Sequence, residues 1–275
     1  MKFGIHLPQF GRIAGPEAIQ RAAVRAEELG FDDVWASDHL AAPAQGTYVP
    51  SHFYEPVITL TWAAAITQRV GIGTTVLVLP YRHPLHLAKE LATLDRLSEG
   101  RLIVGAAAGW LEAEFEALGV PFCERGSRTD EALDVLRACW EQDPVNFEGP
   151  RVRLNDLRVR PQPGRRIPIW IGGSSDAALR RAVRAGDGWH GTFMGPEETQ
   201  PILSRLRAER PEADFILSMR VAWDGLSDEK DDLRRRLELF QKMGLQHLLA
   251  SPSQPELDRW LASMEMLAKL FSEFR

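Results

Sequence analysis

One local pattern recurs along the chain and limits the folds open to it. A helix-period segment ends at glycine, and a short apolar run follows within a few residues. It appears as Glu28-Leu29-Gly30 before Val34-Trp35-Ala36 and as Ser98-Glu99-Gly100 before Leu102-Ile103-Val104. It returns as Arg184-Ala185-Gly186 before Gly188-Trp189-His190, and as Lys242-Met243-Gly244 before His247-Leu248-Leu249. Glycine after a helix supplies the left-handed C′ residue. A short apolar run without alternation reads as a strand buried on both faces. Strand candidates fall at 2–7, 33–37, 70–76, 102–106, 168–172, 188–192, 215–222 and 246–250. Helical segments lie between them. In 17–29, Ala18, Ala22, Ala26 and Leu29 share a face; in 85–97, Leu87, Leu91, Leu94 and Leu97 do. Segments 128–140, 175–185, 197–209, 228–243 and 255–272 are similar, and 56–67 is a weaker case. Eight βα units of about 34 residues each close naturally into a (β/α)8 TIM barrel. The expected architecture is therefore α/β, one domain over 1–275, with a doubly wound open sheet as the alternative.

Two stretches break the rhythm. Residues 38–55 form a long connection after the second strand, with Pro43, Gly46 and Pro50. In 141–167, Val145-Asn146-Phe147, then Glu148-Gly149-Pro150, then Val152-Arg153-Leu154 read as a hairpin insertion. Connections this long in a compact domain are usually binding loops or lids.

Charge and cysteine content narrow the function. Thirty-three basic and 38 acidic side chains leave −5 at pH 7, which disfavours nucleic acid or an anionic membrane as partner. Two cysteines, Cys123 and Cys139, are too few for a disulfide scaffold or a thiolate metal site. The first residues carry no signal-peptide pattern, and no apolar run reaches the length of a membrane helix. A cytoplasmic protein acting on a small molecule is the expectation. His83 and His86 are spaced to touch one metal, but no third ligand accompanies them, so no metal site is expected.

In a barrel, function gathers at the C-terminal strand ends. Few titratable groups lie there, which disfavours a hydrolase with paired carboxylates. The most polar end is Ser37-Asp38-His39, readable as a ligand-facing pair or as a capped turn. Trp170-Ile171-Gly172-Gly173-Ser174-Ser175-Asp176 runs strand, glycine pair, helix start. Bare backbone and free N–H groups there suit a phosphate, or Ser174 or Ser175 simply caps the helix.

Taken together, several strings resemble the luciferase-like monooxygenases. They are Met1 to Phe10, Ala26 to His39, Gly73 to Pro84, Lys89 to Asp95, Pro168 to Gly173 and Ala185 to Trp189, with a weaker match at Gly244 to Leu248. The nearest branch uses the deazaflavin coenzyme F420, and other branches use FMN. The resemblance implies a flavin-like ring over strand ends two to four. Asp38 and His39 match a pair near the reacting ring, with His39 as proton donor or acceptor and Asp38 as its orienter or a ring contact. Thr75 and Val76 match a bulge, often a cis peptide, that props the ring beside Ala107. Gly172, Gly173, Ser174 and Ser175 match the phosphate-side loop.

The chain departs from the sugar-phosphate dehydrogenases of that branch. Ala106-Ala107-Ala108-Gly109-Trp110 stands where they carry a carboxylate, the nearest acids being Glu112 and Glu114. Leu40 to Ala44 lacks their tryptophan. The alanines imply a wide, apolar mouth and leave Glu55 and Tyr54 as further proton carriers. The expectation is an F420-dependent oxidoreductase moving hydride to or from a small organic substrate. The alternatives are an FMN-dependent monooxygenase fed by a separate reductase, and a flavin-binding module without turnover. Family members often dimerise, and the apolar run 47–54 suits a partner or a substrate equally.

Overall fold

Glycine ends the first helix where the pattern places it. Gly30 has φ 79°, and its amide bonds back to Ala26 and Glu27 before the chain enters the next strand. Repetition of this unit builds the molecule, a computed structural model that describes residues 1–45, 47, 49–50 and 52–275. Gly46, Tyr48 and Ser51 lie outside the described residues, and with them part of the 47–54 run.

The strands are β1 Lys2–His6, β2 Asp33–Ala36, β3 Gly71–Val78, β4 Leu102–Ala107, β5 Val145–Glu148, β6 Arg153–Leu157, β7 Ile169–Gly172, β8 Gly188–Thr192, β9 Ile216–Val221 and β10 His247–Ala250. Eight of them pair in parallel in the order β1-β2-β3-β4-β7-β8-β9-β10 and close back on β1. The barrel is thus the TIM barrel expected, not an open sheet. Strands β5 and β6 form a separate antiparallel hairpin. The helices are α1 Pro16–Leu29, α2 Pro56–Ile66, α3 Pro84–Leu97, α4 Glu112–Ala117, α5 Arg125–Glu141, α6 Asp176–Ala185, α7 Pro196–Glu209, α8 Lys230–Lys242 and α9 Leu257–Ser272. Helix α4 was not expected; six residues with one core side chain, Phe115, carry too little periodicity to read. Among the described residues, no helix is long and apolar enough to cross a membrane, and no cluster of three metal-ligating side chains occurs. Cys139 is buried and Cys123 exposed.

The main core lies between strands and helices, where Leu87, Leu91, Leu136 and Leu237 have no exposed surface. The barrel interior is different. Barrels usually fill it with branched aliphatics. Here it holds Trp35, Trp170 and Leu249 together with buried Asp33, His190, Ser218, Arg220 and His247. Gly4 and Gly73 make the space. A Cβ on Gly4 would stand 2.2 Å from Asp33 Oδ1, and one on Gly73 would stand 2.4 Å from the Trp35 ring.

Candidate active site

Ser37, Asp38 and His39 follow β2, and successive residues of an extended segment send their side chains to opposite sides. Ser37 faces the barrel interior, where its hydroxyl meets His6 Nε2 at 2.6 Å and accepts from Arg220 at 2.7 Å. Asp38 turns toward the start of α3. It accepts from the Val78 amide at 2.9 Å and from both terminal nitrogens of Arg82, at 2.6 and 3.0 Å. Arg82 also donates to Glu55 at 2.8 Å. Burial disfavours the Arg82 charge, but the bonds and charges of Asp38 and Glu55 outweigh it and raise its pKa.

His39 does not meet Asp38. Its Nδ1 lies 3.0 Å from Glu114 Oε2, and the rings of Phe53 and Trp110 stand edge-on to it. The expectation that Asp38 orients His39 is therefore corrected: adjacent side chains diverge, and α4 supplies the partner. Glu114 is 1% exposed. It also accepts from the Tyr81 hydroxyl at 2.7 Å and from the amides of Leu40 and Ala41 at 2.5 and 3.1 Å. Burial pushes its pKa up; the bonds from His39, Tyr81 and the two amides together hold it below the ordinary carboxylate value. An ionised Glu114 keeps a hydrogen on His39 Nδ1, which leaves Nε2 as the atom free to take or return a proton. The strand end that looked empty of carboxylates thus has one, brought from a turn further on.

Strand ends β3, β4 and β7 meet beside this pair. The Thr75–Val76 peptide is cis, the form the resemblance implies for this bulge. Gly172 is bare where a Cβ would lie 2.9 Å from Val76 and 3.4 Å from Ala107. Gly173 has φ 112° and its carbonyl accepts from the Trp189 indole at 2.8 Å. The Ser175 hydroxyl caps α6 by accepting from Ala178 at 3.3 Å. That bond uses the hydroxyl oxygen as an acceptor, and Gly173, Ser174 and Ser175 are exposed. Asp176, the first residue of α6, is paired with Arg205.

Two buried groups complete the site and were not foreseen. Arg220, on β9, donates to Ser37, to the Thr75 carbonyl at 3.2 Å and to Ser251 at 3.2 Å, and it stacks on Phe193. Its Nε has no partner, and no carboxylate among the described residues pairs with it. Burial lowers its pKa to about 9. His190, on β8, bonds the Thr75 hydroxyl at 2.8 Å. Glu55 is held by Arg82, and its other oxygen caps α2 through the Ile58 amide.

Comparison with known proteins fits this geometry. The luciferase-like monooxygenase family model matches residues 1–268. An F420-dependent glucose-6-phosphate dehydrogenase of Amycolatopsis mediterranei (strain U-32) is 36% identical over 183 residues, 64% of this chain and 53% of the relative. The chain thus matches about half the length of that relative. Another, of Nakamurella multipartita, is 31% identical over 278 residues, 90% of this chain and 80% of the relative. The monooxygenase RslO1 from Streptomyces bottropensis superposes with a TM-score of 0.86 over all of both chains at 24% identity. The residues at the barrel mouth, the closed barrel that presents them and these likenesses agree: the chain belongs to the luciferase-like monooxygenase family.

Proposed function

We propose that this protein is an F420-dependent oxidoreductase that moves hydride to or from a small organic substrate. The observation that carries the proposal is the mouth itself, where bare backbone at Gly172 faces Val76 and Ala107, with exposed Gly173 after it, beside a carboxylate-supported histidine. The residues fit a planar ring with a phosphate-bearing tail. Val76, Ala107 and Gly172 lie together as an apolar bed, and the amides of Gly173, Ser174 and Ser175 at the start of α6 receive phosphate. F420, when bound, supplies hydride acceptance or donation, and the barrel supplies position and electrostatics. His39 exchanges a proton with the substrate through Nε2, oriented by Glu114. Arg220 gives the interior a positive charge that favours electron-rich states of whatever lies above it. Asp38 acts through Arg82 and the Val78 amide, fixing the start of the β3–α3 connection.

F420 is preferred over FMN because the two relatives above are named F420-dependent. An FMN-dependent monooxygenase remains the second reading, since phosphate-receiving amides serve either coenzyme. Their sugar phosphate is not carried over. His39 here is flanked by Phe53 and Trp110, and the residues after it, Leu40 to Ala44, bring no tryptophan. A small alcohol or carbonyl compound with an apolar body suits that rim. The test is an absorbance and fluorescence titration with F420 and with FMN. Saturable binding of F420 with weaker FMN binding is expected. Tight FMN and no F420 binding selects the monooxygenase reading, and binding of neither sinks both.

A further inference from the structure

A file of hydrogen bonds crosses the barrel interior and ends under the ring site. Asp33, the first residue of β2, is at the end of the barrel opposite the mouth. Its Oδ1 lies 2.9 Å from His247 Nε2 and also accepts from the Trp35 indole. His247 Nδ1 lies 2.7 Å from Ser218 Oγ. Ser218 Oγ lies 2.8 Å from His190 Nδ1, and His190 Nε2 lies 2.8 Å from Thr75 Oγ1. His190 and Ser218 have no exposed surface, and His247 is 1% exposed.

Each member has one hydrogen to give along the file, so the directions are set together. A carboxylate only accepts, and the indole only donates. His247 therefore carries its hydrogen on Nε2 and presents Nδ1 as an acceptor. Ser218 spends its hydroxyl hydrogen there, so His190 Nδ1 must donate to Ser218. Burial, with the Arg220 charge adding to it, holds the His190 pKa well below the ordinary value, so the ring is neutral and has one N–H. With that hydrogen spent on Ser218, His190 Nε2 can only accept, and Thr75 must donate to it. The Thr75 oxygen is then left with lone pairs alone. The same logic holds beside it: His6 Nδ1 faces the Leu7 carbonyl at 2.7 Å, so Nε2 accepts from Ser37.

We propose that Asp33, His247, Ser218 and His190 act as positioning residues that make the Thr75 hydroxyl an obligatory acceptor for an N–H on the edge of the bound coenzyme ring. This rests on the coenzyme reading above. It names the chemistry of the contact, an imide or lactam N–H, which deazaflavin and flavin rings share. The alternative setting puts a second hydrogen on His247, keeps Nε2–H on Asp33 and reverses every hydrogen beyond it. In that setting Thr75 would be free to donate.

The first experiment needs no coenzyme. Nitrogen-15 NMR of histidine-labelled protein at neutral pH reads the tautomers. His190 as the Nδ1–H form and His247 as the Nε2–H form are expected. His190 as the Nε2–H form, or a doubly protonated His247, overturns the proposal. In Asp33→Asn the amide oxygen can still accept both bonds, so the tautomers should be retained. Ser218→Ala breaks the file and should release the His190 tautomer. The second experiment is a double-mutant cycle on the affinity of whichever of F420 and FMN the protein binds. Ser218→Ala and Thr75→Val should each weaken binding roughly three- to tenfold, the worth of one hydrogen bond. The pair should weaken it no more than Thr75→Val alone. Additive losses mean Ser218 only packs, and they overturn the proposal. If neither coenzyme binds, the coenzyme reading falls and the contact assigned to Thr75 falls with it, while the tautomers still report whether the file exists.

Discussion

Arg82, largely buried, and Arg220, buried, are both arginines near the barrel mouth, and they are satisfied in opposite ways. Arg82 sits between two carboxylates, forking onto Asp38 and reaching Glu55. Arg220 meets two hydroxyls and one carbonyl and keeps an orphaned Nε. The first arrangement is self-contained: it ties the loop after β2 to the start of α3 and asks for nothing further. The second leaves positive charge in a core without a paired carboxylate among the described residues, an arrangement that stability alone does not favour. The difference separates an ion pair closed on itself from a charge that keeps unused donor capacity.

The largest expected effect lies at His39, next to the balanced pair, where Glu114 holds the imidazole. His39→Ala should lower the rate of hydride transfer about 10²- to 10⁴-fold while coenzyme affinity stays within a few-fold. Stopped-flow with bound coenzyme measures it, and a collapse of affinity with an unchanged rate would make His39 a binding residue. Arg82→Met strands two carboxylates, one of them fully buried, and should cost about 3–5 kcal/mol in urea unfolding. A loss under 1 kcal/mol would mean the pair contributes little to shape.

Acid should act first on the interior. Burial is the main cause that depresses His6 and His190, with the Arg220 charge adding to it. As pH falls below the ordinary histidine value of 6.5, the unfolded chain takes up a proton at each and the folded chain does not. Stability should therefore fall by about 1.4 kcal/mol per pH unit for each histidine. Glu114 adds its own loss further into acid, as pH drops from the ordinary carboxylate value through its depressed one. A flat unfolding profile from pH 7 to 5.5 would contradict the burial of these imidazoles. Ser175→Ala removes one cap and should cost about 1 kcal/mol, with coenzyme affinity unchanged because backbone amides do the holding. Arg220→Met should change the stability of the coenzyme-free protein least, within about 1 kcal/mol of zero, because it removes an uncompensated charge along with its bonds. A loss near that of Arg82→Met would erase the contrast between the two arginines.

The barrel was legible because its signal is local. All eight barrel strands and the hairpin fall where glycine stops and apolar runs place them. Helix α2 read weakly because Ile58 and Trp62 face solvent and blur its period. The meeting of strand ends β3, β4 and β7 was legible through resemblance, not periodicity. The partner of His39 was not legible, since Glu114 lies 75 residues away on a six-residue helix. The polar interior was written in a simpler code. Asp33, Trp35 and Ser37 alternate along one strand, and Ser218 and Arg220 along another. Treating those runs as uniformly apolar hides the period of two that marks an inward polar face.

Trp35 occupies volume that Gly4 and Gly73 vacate, and its indole shares the Asp33 oxygen with His247. Its ring also stacks on His190 at 5.2 Å. Positions 4, 35 and 73 are therefore one unit of inheritance rather than three. A side chain at either glycine can be accepted only by a lineage that has already exchanged the tryptophan for something smaller. A lineage that shrinks the tryptophan first opens a void against the imidazoles before any compensation arrives. Between relatives these three positions should change together or not at all, and the passage from one barrel filling to another should be an abrupt substitution of the set.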